Sequence, residues 1–274
     1  MTLLVYVTFF TFIIASVYSI LSIHRDALLY IRVTKVAIIV AIILLFFQGC
    51  FLYTTIVHAY KINIFTFFYL IVVFLSLLLL FMSISRWKDD FRAISAIITP
   101  LITVIYGISL LFYGSNRFMA VEPNHNLMFI HIVLSLLGEV LFFIAFASAV
   151  LYLVVSWQLQ KKSSMKFIYR FPSLGVLNRL TNFSLSHSLA FFSVGIVIGI
   201  IMLFEVYNNI SLGSPKEILM YAVWFILCTV WVIAQSKITS NFYVSIITIV
   251  AFVIVIVLFI ATNVVITTGF HSFR

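Results

Sequence analysis

Six histidines, at positions 24, 58, 125, 131, 187 and 271, punctuate a 274-residue chain that is 65% hydrophobic and only 8% charged. Neutral imidazole is a ready ligand for metals, and two of them on separate elements can close the axial positions of a haem iron. A single histidine beside an apolar run has a simpler role, as an amphipathic residue whose ring sits at the membrane boundary. His131 differs from the others because an uninterrupted apolar helix follows it. A polar side chain inside a span is costly and is by default a functional candidate. Glu139 follows eight residues later, about 12 Å deeper at ~1.5 Å per residue and on the same helix face. Its chemistry is either a proton relay or a protonated acid bonded to a neighbouring hydroxyl.

The elements that carry these residues follow from composition. A soluble domain has about 25% charged residues, three times the share found in this chain. About 20 apolar residues cross a bilayer as a helix, and eight segments qualify: 3–23, 36–57, 64–84, 93–113, 127–157, 184–206, 218–235 and 242–268. The expected fold class is therefore all-α, a polytopic membrane bundle of about eight transmembrane helices forming a single integral membrane domain over 1–274. The fifth span is long enough that it must tilt or project. Pro100 should kink the fourth. The first segment lacks a basic leader and a small-residue cleavage site, which predicts a retained helix.

Lys and Arg set the orientation. Loops 24–35, 85–92, 158–183 and 236–241 carry twelve of them, and the alternate loops and termini carry four. The richer side is cytoplasmic by the positive-inside rule, which puts the N-terminus and C-terminus outside. The net charge of +9 thus belongs to loops facing an anionic inner leaflet, with the lipid bilayer as partner and no role for nucleic acid. With this topology His58, His125, His131 and His271 lie toward the outer face, and His24 and His187 toward the cytoplasm. Two outer-face histidines on separate helices, His131 and His271, become candidate axial ligands.

Other signals are weaker. Gly195 and Gly199 spell G-x-x-x-G, which allows close helix packing. Cys50 and Cys228 sit inside apolar runs as small packing residues. Apart from the histidines, no nucleophile–base pair or metal-ligand set converges on one side, so an enzyme is not expected. A small-molecule transporter would suit an intramembrane acid, a Pro-bearing helix and small-residue packing, yet no inverted repeat is visible.

Three stretches in order resemble the cytochrome c assembly family of membrane proteins, the CcsA/HemX-like group. They are "HIVLSLLGEVLFFIAFASAVLYLV" from His131, "FPSLGVLNRLTNFSLSHSLAFFSVGIVIGI" from Phe171, and the ending "GFHSF" around His271. They cover roughly the half 127–274, while the four helices of 1–126 are less characteristic. The resemblance implies haem as the bound group, with His131 and His271 as its ligands. It also carries departures. Cytochrome c synthases of the family have a tryptophan-rich loop ending in W-D-P-K-E, whereas "EVYNNISLGSPKEILMY" keeps Pro215, Lys216 and Glu217, has Ser214 in place of the Asp, and has no tryptophan. Lys216 and Glu217 are thus candidate remnants of an outer haem-binding loop. The family's "YLH" at the cytoplasmic end of the next helix is replaced by "TVWVIAQSK", with no histidine.

This profile is nearest the HemX branch. It implies a protein of the plasma membrane of Gram-positive bacteria that restrains glutamyl-tRNA reductase, the first committed enzyme of tetrapyrrole synthesis, with the basic 158–183 loop as a candidate contact. The alternative implied by the same family is a haem-handling component of cytochrome c maturation.

Overall fold

Within hydrocarbon, a chain must satisfy every backbone N–H and C=O internally, and this chain does so with α-helices. A computed structural model describes residues 2–24, 28–59, 61–85, 91–114, 118–120, 126–161, 171–207, 215–236 and 238–260. Among the described residues the helices are α1 (Thr2–His24), α2 (Leu28–Ala59), α3 (Ile64–Ile84), α4 (Phe91–Leu110), α5 (Asn126–Gln160), α6 (Leu174–Tyr207), α7 (Pro215–Gln235) and α8 (Asn241–Ile260). Two three-residue strands, Lys61–Asn63 and Phe118–Ala120, complete the regular structure described. Among the described residues seven helices are long and apolar enough to cross a membrane, and α3 carries a shorter apolar run, Phe68–Ile84. The chain is an all-helical polytopic membrane bundle, as its hydropathy predicts.

The helix ends depart from the apolar counts for local reasons. Hydropathy marks where lipid surrounds the chain, whereas caps mark where the backbone starts to coil. The sixth apolar run begins near 184, yet α6 begins at Leu174. Its start is set by Ser173, whose carbonyl and Oγ accept the Val176 amide at 3.0 and 3.4 Å, an N-cap arrangement. Pro215 occupies the first position of α7, where its fixed φ suits a helix and its missing N–H costs nothing. Pro100 lies inside α4, and the helix continues through it.

The chain divides into two compact units, Met1–Ser115 with Val154–Val176, and Asn116–Leu153 with Leu177–Arg274. In the first, α1 packs on α2 and α4, and α3 packs on α2 and α4. Lipid gives helices no hydrophobic reason to associate, so hydroxyls and close packing hold them. Ser16 and Ser19 of α1 bond Thr103 and Thr99 of α4, both at 2.6 Å. One rung further along, the Arg92 guanidinium donates to the Ser22 carbonyl. Buried Gln48 joins three helices: its amide donates to Thr8 Oγ1 at 2.5 Å, and its carbonyl accepts from Tyr106 at 2.8 Å.

In the second unit, two tryptophans seven residues apart on α7 donate to two serines seven apart on α6. Trp224 reaches Ser193 Oγ at 2.9 Å and Trp231 reaches Ser186 Oγ at 3.0 Å. Phe252 of α8 packs against Phe142, Phe143 and Phe146 of α5, stacking on Phe146 at 4.1 Å between centroids.

Candidate functional site

The site is built on the seam between α5 and α6. Small residues lie at matching positions along it. A Cβ placed on Gly199 would meet the His131 ring, one on Gly195 would meet Ser135, and one on Gly138 would meet Phe192 and Ser188. As the α5 number rises the α6 number falls, so the helices run antiparallel in one continuous register. Ser188 Oγ donates to the Gly138 carbonyl at 2.7 Å and ties the seam further along α5.

His131 occupies the end of the seam nearest the start of α5. Its side chain is 6% exposed. Its Nδ1 lies 2.7 Å from the carbonyl oxygen of Gly195. A carbonyl can only accept, so Nδ1 carries the proton and donates it. In the neutral ring the lone pair then resides on Nε2. This is the arrangement of histidines that bind metals, which commonly give their other N–H to a backbone carbonyl or a carboxylate.

The carbonyl of Gly195 is reachable because of Gly199. In an α-helix that carbonyl also takes the amide four residues on, and a side chain there leans back over it. Residue 199 has none. A Cβ at that position would stand 2.9 Å from His131 Cε1 and 3.1 Å from Nδ1. The G-x-x-x-G pair, expected only to bring helices close, therefore also exposes a backbone acceptor and leaves space for an imidazole. No side-chain pattern marks this role. The available signal is the spacing of His131 and Ser135, one helical turn apart, facing glycines that are also one turn apart.

The other expected site residues fall elsewhere. His271 lies outside the described residues, as does His125. Lys216 and Glu217, expected in an outer loop, form the first turn of α7 directly after Pro215, because a proline at that position starts a helix rather than extending a loop. Glu139 lies on α5 and is partly buried. His187 is exposed on α6, its Nδ1 donating to Phe183 O at 2.8 Å and its ring 4.0 Å from the Phe183 ring. Among the described residues no three His, Cys, Asp or Glu side chains form a group that could hold a bare metal ion.

A family model described as "Cytochrome C assembly protein" matches residues 61–270, more than three quarters of the chain. The match starts well before His131 and takes in α3 and α4, a part of the chain whose sequence shows only hydropathy in common with the family. Comparison with curated proteins and with solved structures finds no match.

Proposed function

The chain belongs to the cytochrome c assembly family, and from that premise we propose that it is a membrane protein that handles haem, holding the iron through His131. The observation that carries the reading is the state of His131: buried, with Nδ1 committed to the Gly195 carbonyl at 2.7 Å. An imidazole nitrogen would hold the haem through its iron. The protein's part is to present Nε2 with its lone pair, to hold the ring in one orientation, and to keep it in an apolar surround. From the family likeness, His271 would help hold the same haem, with Lys216 and Glu217 on the same side of the membrane.

Within that reading, a component of cytochrome c maturation is the role the family match favours, and a bacterial plasma membrane is our proposed location. A second role has its own observation. The segment before α7 has no tryptophan, and the cytoplasmic end of α7 has no histidine. Those absences favour a HemX-like regulator that lowers the level of glutamyl-tRNA reductase. Gene deletion separates the two. Loss of covalently bound c-type haem, seen by peroxidase staining of membranes, supports maturation. A rise in reductase abundance with c-type cytochromes intact supports regulation. If deletion changes neither, both roles are rejected.

A further inference from the structure

We propose that Gly195 and Gly199 form a seat that selects the coordinating nitrogen of His131. The inference rests on the reading of His131 as a ligand and adds positioning residues to it. An imidazole offers two nitrogens, and a free ring exchanges its proton between them. Here the Gly195 carbonyl, at 2.7 Å, holds the proton on Nδ1. That places the lone pair on Nε2, the nitrogen that would hold haem iron. The missing side chain at 199 makes this hydrogen bond possible in two ways. It leaves the Gly195 carbonyl open on the side facing α5. It also leaves the 2.9 Å gap at Cε1 that a methyl group would close.

The ring has to shift to admit a side chain at 199. Real Cβ atoms essentially never lie within 3.0 Å of such an atom, so an alanine at 199 must push the imidazole away from α6. Moving it away lengthens the Nδ1 bond to the α6 backbone. The proton then loses its fixed place, and the ring loses its orientation. Gly195 itself makes room for another side chain, Ser135 Oγ, at 2.9 Å. Its contribution to His131 is therefore the carbonyl, and the space is the contribution of Gly199.

The rival explanation is packing alone, in which the glycines only bring α5 and α6 together. Gly138 provides the control. It lies on the same seam, and a Cβ there would come within 2.6 Å of Phe192 Cδ2, an even tighter approach that does not involve His131. The test compares Gly199→Ala and Gly138→Ala in the full-length protein purified from haem-replete cells. Haem content, Soret position and the low-spin electron paramagnetic resonance signal are read per folded molecule. Gly199→Ala should lower haem affinity about ten- to a hundredfold, the usual loss when the group orienting a metal-binding histidine is disturbed, and should shift the spectrum of the haem that remains. Gly138→Ala should destabilise the protein but leave the spectrum of bound haem unchanged. Equal spectral effects from both substitutions, or none from Gly199→Ala, would overturn the proposal.

A second measurement needs no haem. The loss of thermal stability caused by Gly199→Ala should largely disappear in a His131→Ala background, because the colliding ring is gone. Gly138→Ala should cost the same in both backgrounds. If the Gly199→Ala loss persists without the ring, the seat does not exist. If the cycle shows coupling but the wild-type protein carries no haem, the seat stands and the haem reading falls.

Discussion

At the scale of single residues, glycines and their neighbours decide more than the charged groups do. Gly49 has the Tyr69 hydroxyl 2.8 Å from where a Cβ would stand, and that hydroxyl donates to Leu45 O at 2.6 Å. Gly49→Ala should displace the tyrosine and cost about 1–3 kcal/mol, the penalty of an unmet buried hydrogen bond. Thermal unfolding in detergent measures it, and the loss should shrink in a Tyr69→Phe background. Undiminished loss there would place the cause elsewhere. Gly114 is a different case: it has φ of +80° and no neighbour within 4 Å. Gly114→Ala should cost about 1–2 kcal/mol through backbone strain alone. The candidate site is half legible at this scale. His131 stands out because an imidazole at the head of an apolar run has to be accounted for. The Gly195 acceptor is invisible, because a sequence records side chains and this partner is a backbone carbonyl exposed by the absence of one.

At the scale of elements, hydropathy locates the spans because lipid constrains every residue of them alike. The ends are less legible where a cap lies in polar sequence, as Ser173 does ahead of α6. Partner choice between helices depends on a few polar contacts that no periodicity announces. The two indole–serine bonds between α6 and α7 are an example. Trp224→Phe and Trp231→Phe keep the aromatic volume and remove one donor each. Each should cost about 0.6–1.5 kcal/mol. Their effects should add, since seven residues separate them by about 10 Å along the helix. Unfolding curves indistinguishable from the wild type would show that these bonds add nothing to helix association.

At the scale of the whole molecule, twelve of the sixteen Lys and Arg residues fall in loops assigned to one side. In a variant with Cys50 and Cys228 replaced by alanine, Ser163→Cys should react with an impermeant thiol reagent only from the cytoplasm, and Ser211→Cys only from outside. The reverse pattern would invert the topology and move His131 to the inner face. That sidedness matters because the account places a haem ligand at the outer end of α5, where its Nε2 is selected by the backbone of α6. The most direct test of this claim is the absorption spectrum of the protein purified from haem-replete cells, beside His131→Ala and His271→Ala. The wild type should show a Soret band that is lost in His131→Ala and lost or strongly shifted in His271→Ala. A wild-type protein without the band, or a band unchanged in His131→Ala, would contradict it.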